Sequence, residues 1–409
     1  MKSQTKALRP FLFIVILSSV FMQSCVDRCT QTIRTIRQVP VYVDLAELRL
    51  SFAVMEPQSI VDPGKIALYG DYLFVVDRAE GIHIIDNSNP SFPKFLKYIR
   101  LQGCYDVSIK GTTLYANNGP DLVLLDISNL DDIRLTARRK VALNFSLIRP
   151  EGYIYKYEEE EVVEVLENVN CNQPHLGAHR DFIASGGSSS AQGSMSRFAV
   201  VNDYLYVVDY ESLISFDIRG VVPQKKQQID LNQGEVETIT ATDKELFIGT
   251  TTGMIIYNYV NNPEAPQFVS VFAHSRACDP VVVKDSTAYI TTKSGNFCGW
   301  ANDQLLVVNV RNSSQPQLLA VYPMESPNGL GIDQNNTLFI CDDVGGLKIF
   351  NADNPLQIDA SRYSIVESMV PYDVILSNNL AIVSAENGVY QYDYSDPRNP
   401  TQLSILYQK

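Results

Sequence analysis

Residues 72–99 read YLFVVDRAEGIHIIDNSNPSFPKFLKYI. Two β-branched and aromatic runs, LFVVD and IHIID, flank a polar turn at 78–81, and a third, KFLKYI, follows the loop NSNPSFP. Another apolar run lies just upstream at 65–69. One copy of this stretch therefore predicts four antiparallel strands in about 40 residues.

Weaker copies continue to the C-terminus. Their second strands start at Leu73, Leu114, Leu205, Leu246, Ala288, Leu338 and Leu380, in steps of 41, 91, 41, 42, 50 and 42 residues. Several copies carry the same loop after the third strand: DNSNPSFP from Asp86, NYVNNPEAP from Asn258, NVRNSSQP from Asn309 and DYSDPRNP from Asp393. Asp and Asn bond the following backbone and Pro fixes φ before the outer strand, so these side chains are read as turn formers. Seven four-stranded units at this period predict an all-β chain folded as a seven-bladed β-propeller.

The chain resembles the bacterial LVIVD-repeat β-propeller lipoproteins. The likeness rests on LFVVD and GIHIIDNSNPSFP in the first unit and on CDPVVV, YPMESPNGLGI, LFICDDVGGLKIF and VYQYDYS in later ones, and it covers roughly residues 40–409. It implies the propeller fold and supplies no catalytic residues to carry over.

The N-terminus reads as a signal peptide over 1–24. Lys2, Lys6 and Arg9 precede an apolar run from Phe11 to Met22, and Gln23-Ser24-Cys25 follows. A small residue before Cys suits a lipoprotein signal peptidase, so Cys25 is the expected lipidation site; ordinary secretory cleavage nearby is the alternative. Cleavage before Cys25 removes three basic residues and no acidic one, taking the net charge from −13 to −16. That balance argues against nucleic acid and against electrostatic docking on anionic lipid, leaving acyl chains as the membrane contact. The expected location is the cell envelope, at the outer membrane on either its periplasmic side or the cell surface. Residues 25–64 read as a tether and approach segment, with a helical turn at 44–48, that either covers the propeller or helps to close it. The propeller itself is expected over 65–409.

Two units are lengthened. The 91-residue step carries an insertion at 144–196, containing GYIYKYEEEEVVEVLENVNC and the tract SGGSSSAQGS. Adjacent glutamates point in different directions, so Glu158, Glu159, Glu160 and Glu161 are read as a solvated face rather than a cation site. The other addition, KSGNFCGWANDQ at 293–304, joins the second and third strands of the fifth unit. In an up-and-down blade that loop emerges on the same face as the connector into the first strand. Cys278 and Cys298 are thus placed for a disulfide, which an exported protein permits. Cys29, Cys104, Cys171 and Cys341 leave three pairings open. No CxxC or Cys/His spacing suggests zinc, and no metal site is assigned.

Both additions share one rim, which is read as the working surface of the propeller. The expected channel-mouth ring is Lys65, Tyr105, Arg197, Glu237, Asp279, Asn328 and Tyr372, with Asp106, Thr238 and Asp373 behind it and His274, Arg276 and Trp300 as further candidates. Polar strand starts also occur without function, and the alignment is open to one-residue shifts in units one, three and seven. His83 reads as packing, whereas His175 and His179 lie in the insertion. GxSxG, HExxH and phosphate-loop motifs are missing, and no cofactor is assigned. The leading expectation is an exported, lipid-anchored module that binds a small molecule, glycan or envelope protein at the mouth. The alternatives are an enzyme acting on a polysaccharide or small molecule in the channel and a structural component of an envelope complex.

Overall fold

In the computed structural model, residues 28–143, 148–170, 196–232, 235–274, 280–294 and 302–407 are described. Two compact units are distinguished, one of 1–39 with 158–183 and one of 40–157 with 184–409.

The larger unit is the propeller. Blade I consists of Pro63–Tyr69, Tyr72–Asp77, Gly81–Asp86 and Lys94–Arg100, from inside outward. Blades II to VII repeat that antiparallel order over 107–139, 198–230, 236–273, 281–323, 327–366 and 371–407. Blade I gains a fifth, outermost strand, Ala53–Met55, which pairs with Tyr98–Arg100.

The apolar runs follow from this arrangement. Each blade packs against a neighbour on both faces, so its two middle strands are buried on both sides and read as near-continuous Val, Ile, Leu and Phe. Seven hydrophobic clusters fill the seven interfaces between blades. The last joins Ile66, Leu73 and Val75 of blade I to Ile382, Val389 and Leu406 of blade VII. No strand is shared across that seam, because the last blade is built wholly from 371–407. The ring closes by side chains: the amides of Asn87 and Gln391 exchange two hydrogen bonds of 2.8 Å, and Ser404 Oγ donates to Pro90 O at 2.6 Å.

The repeated loops are turn chemistry in every unit. Asp86, Asp126, Asp217, Asn258, Asn309, Asn351 and Asp393 each accept a bond from the backbone N–H two residues on. One alignment needs correction. Leu380 pairs with Asp393 as Tyr72 pairs with Asp86, so Ala381 is the counterpart of Leu73.

The approach segment packs on blades II and I. After the strand Arg28–Val43, a short helix α1 (Leu45–Arg49) is capped by Asp44, whose side chain accepts from Ala46 N at 2.7 Å. Leu48 is fully buried beside Gly103 and Gly119 of blade II, and a Cβ at Gly119, whose φ is +60°, would meet it at 2.5 Å. Arg49 binds Asp121 through two bonds of 2.8 and 3.1 Å, and Arg138 adds a third at 3.0 Å. Against the cost of burial, these bonds and the Val141 N–H hold the Asp121 carboxyl below its ordinary pKa. The segment then crosses to blade I as the fifth strand.

In the smaller unit, Glu159 accepts from Gln38 at 2.9 Å and Glu161 pairs with Arg34 at 3.2 Å. Both glutamates of this exposed run are thus cross-strand partners, and among the described residues no metal-binding group of acids, histidines or cysteines occurs. Nor, among those residues, is any helix long and apolar enough to cross a membrane. Cys104 and Cys341 are buried free thiols, which removes both from the open pairings. The Cys278–Cys298 pair, Cys25 and Cys171 lie outside the described residues.

Candidate binding site at the channel mouth

The turn between the second and third strands and the connector into the same blade meet on one rim, as the sequence predicts. Arg78 N donates to Asp62 O, Thr251 N to Glu235 O, Asp343 N to Ser326 O and Glu386 N to Val370 O. A terminal acid of the second strand often ties the two together. Asp77 accepts from Val61 N and Asp62 N, and Asp342 accepts from Glu325 N, Ser326 N and Gly345 N.

Strand register sorts the ring into two tiers. Ile66, Val107, Phe198, Ile239, Val281, Leu330 and Val374 occupy equivalent positions, each paired with the third residue of an equivalent second strand. The residues just before them, Lys65, Asp106, Arg197, Thr238, Pro280, Gly329 and Asp373, form the inner tier. One step further out, among the described residues, lie Gly64, Tyr105, Ser196, Glu237, Asn328 and Tyr372. Lys65 and Arg197 therefore belong one level deeper than their expected companions; the first strand of blade I is bulged between Pro63 and Ile66, whereas that of blade III runs in unbroken register from Phe198. Among the expected ring and its near neighbours, Asp279, Arg276 and Trp300 lie outside the described residues.

Four consecutive blades, VII, I, II and III, place charges of alternating sign in the inner tier: Asp373, Lys65, Asp106 and Arg197. Lys65, Asp106 and Asp373 are 4%, 5% and 0% exposed. Lys65 Nζ donates to Ser196 Oγ at 2.9 Å and lies 3.5 Å from Asp106 Oδ1, while Asp106 Oδ2 accepts the Arg197 N–H at 2.5 Å. Burial pushes the Lys65 pKa down to about 8, opposed by the carboxylates of Asp106 and Asp373. Burial likewise raises Asp106, opposed by Lys65 and the Arg197 N–H. Blades IV to VI contribute Thr238, Pro280 and Gly329, which are uncharged. Gly329 is required where it is: a Cβ there would collide with Asp373 Oδ1 and stand 2.8 Å from Tyr372 O.

In the outer tier Tyr105, Glu237, Asn328 and Tyr372 are half-buried, and Gly64 and Ser196 are buried. The Arg78 guanidinium lies 5.3 Å over the Tyr372 ring and donates to Pro63 O at 2.8 Å. Asn328 accepts from Lys293 Nζ at 2.9 Å and donates to Asp343, which also pairs with Lys293. The Tyr105 hydroxyl donates to Tyr155 O. Tyr155 and Lys156 belong to the start of the strand Gly152–Asn170, and Lys156 lies 3.1 Å from Glu80 in the turn of blade I. His274 follows the outermost strand of blade IV, where its N–H bonds Thr252 O and its ring packs on Phe272. His83 is fully buried against Tyr98 and Phe95, as expected of a packing residue.

Arg78, Tyr153, Ser196, Tyr210, Lys293 and Asp343 were not in the expected set. A usable signal existed for the register: KIAL, DVSI, RFAV, TITA, PVVV, GLGI and DVIL align on their first apolar strand residue and return the inner tier directly. Nothing comparable marks Tyr153, which reaches the mouth through the insertion and not through the repeat.

An LVIVD repeat matches residues 62–98 and 104–137, which are blades I and II with their connectors. No curated protein matches the chain. Among solved structures, the periplasmic gluconolactonase of Pseudomonas aeruginosa is 11% identical over 87% of this chain and 96% of its own, with a TM-score of 0.54. The computationally designed Ika8 protein is 10% identical over 83% and 86%, at 0.51, and Sqt1 of Saccharomyces cerevisiae is 10% identical over 88% and 86%, at 0.50. At such identities the likeness is one of fold alone.

Proposed function

We propose that this LVIVD-repeat propeller is an exported, lipid-anchored binding module whose contact surface is the channel mouth. The observation that carries the reading is the convergence of polar side chains from all the blades described there, with a charged floor under a half-buried tier of Tyr, Asn, Glu and Arg. Binding fits this arrangement better than catalysis. In the inner tier, Lys65 and Asp106 have displaced pKa values, yet they are buried and paired with one another, with Lys65 also bonded to Ser196, whereas a general acid or base must reach its substrate. The lipid anchor is supported by the segment before Cys25 and by an acidic chain that disfavours electrostatic docking on membranes.

The test is a thermal-shift and calorimetric screen of the mature protein with free sugars, organic acids and divalent cations, repeated on Tyr372→Ala. A hit weakened by about tenfold or more in that variant, with no turnover of the ligand, is expected. A hit that Tyr372→Ala leaves unchanged, or one that is consumed, would contradict the reading.

A further inference from the structure

We propose that Arg139 and Lys225, which face one another at the outer edge of the interface between blades II and III, hold a phosphate group, either free or carried by a sugar. Both belong to outermost strands, so the site lies on the outer wall of the ring and is independent of the channel mouth.

Strand register aims the two side chains. Directly paired residues of neighbouring strands carry their side chains on the same face of the sheet. In blade II, Ala137 and Arg139 pair with Leu124 and Leu122, and in blade III, Lys225 and Gln228 pair with Phe216 and Ile214. Leu122, Leu124, Ala137, Ile214 and Phe216 all belong to the apolar cluster between these two blades. Arg139 therefore faces blade III, while Lys225 and Gln228 face blade II. The contacts agree: Arg139 Nη1 donates to Pro223 O at 3.3 Å, beside the strand that carries Lys225, and Lys225 Nζ donates to Gln228 Oε1 at 2.6 Å. Both cations are half-buried.

What these two cations lack is a counter-charge. In a chain of net charge −13, their neighbours have carboxylates: Arg134 pairs with Asp132, Arg138 with Asp121 and Lys226 with Glu264. Among the described residues, Arg139 and Lys225 make no ion pair, and the exposed Lys140, next to Arg139 in the chain, adds a third positive charge. Burial pushes the Lys225 pKa down; Asp209 opposes that shift, and the like charge of Arg139 adds to it. Two half-buried cations without a bonded carboxylate repel one another, and an anion between them removes that cost. Each keeps further N–H donors, and the Gln228 amide contributes its own. A group made only of acceptor oxygens answers them. Phosphate fits, because it carries about two negative charges at neutral pH and has oxygens enough for a guanidinium fork and an ammonium together. A single carboxylate would balance only one of the two cations.

The test is calorimetric titration of the mature chain with sodium phosphate, glucose 6-phosphate and sodium acetate at matched ionic strength. At least one of the two phosphates should bind and acetate should not; the tighter of the two tells whether the group is free or carried by a sugar. Arg139→Gln and Lys225→Gln should each weaken that binding by about tenfold or more. Without phosphate, Lys225→Gln should melt no lower than wild type, because it relieves repulsion, whereas loss of a purely structural lysine would lower the melting temperature. Tyr372→Ala should leave phosphate binding unchanged. No binding of either phosphate, equal binding of acetate, unchanged phosphate affinity in either glutamine variant, or a Lys225→Gln protein that melts lower without phosphate would each overturn the proposal. So would loss of phosphate binding in Tyr372→Ala, which would move the phosphate to the mouth.

Discussion

Burial displaces the titrations of Lys65 and Asp106 in opposite senses, and the attraction between the two opposes both shifts. The folded Lys65 has its pKa lowered from 10.5 to about 8, so between those values the unfolded chain holds more protons and stability rises with pH. Asp106 is raised above 3.8, so in its window the folded chain holds more protons and that contribution declines as pH rises. Lys65→Met should cost about 3–5 kcal/mol near neutrality, because it leaves two buried carboxylates without their cation. Chemical denaturation from pH 7 to 10.5 should show the wild-type advantage growing above about pH 8; a flat difference would mean that Lys65 titrates normally. Gly329→Ala should destabilise by about 1–3 kcal/mol through its clash with Asp373 and the Tyr372 carbonyl, with urea titration as the check. Residue types at the mouth were legible in the sequence, but their level was not. The bulges beside Lys65 and Tyr372 change which side chain reaches the axis, and short turns hide them.

Strands were the most legible elements, since a blade buried on both faces writes its middle strands as unbroken apolar runs. Turns were equally plain, with one Asx bond at the same place in all seven units. Helix α1 and the fifth strand of blade I were only half legible. Their anchors, Leu48 against Gly119 and Arg49 on Asp121, are 71 and 72 residues away in sequence and belong to no repeat. The blade VII–blade I seam depends on a similarly distant pair. Gln391→Ala leaves the buried Asn87 amide without two of its bonds, so it should cost about 1–3 kcal/mol. A double-mutant cycle with Asn87→Ala should return a coupling of about 1 kcal/mol or more. Additive losses would show that the apolar cluster alone holds the ring shut.

At the scale of the whole molecule, the repeat determines the ring, and the segments outside the repeat determine which rim is elaborated. Cys25→Ala should abolish fatty-acid labelling in growing cells, because no other thiol follows an apolar signal segment; retained label would remove the lipid anchor from the account. The acidic run of the insertion reads in the sequence as a solvated face, and its four glutamates are exposed, with Glu159 and Glu161 also pairing with Gln38 and Arg34. The contrast between that run and the mouth supplies the most direct test. Once a ligand has been found, its affinity should be measured for wild type, for Arg197→Ala and Asn328→Ala at the mouth, and for a variant with Glu158 to Glu161 changed to Gln. The two mouth variants should each bind more than about tenfold more weakly while melting cooperatively, and the glutamine variant should bind as wild type does. Loss of binding in the glutamine variant, with both mouth variants unaffected, would place the site on the insertion and contradict the channel-mouth account.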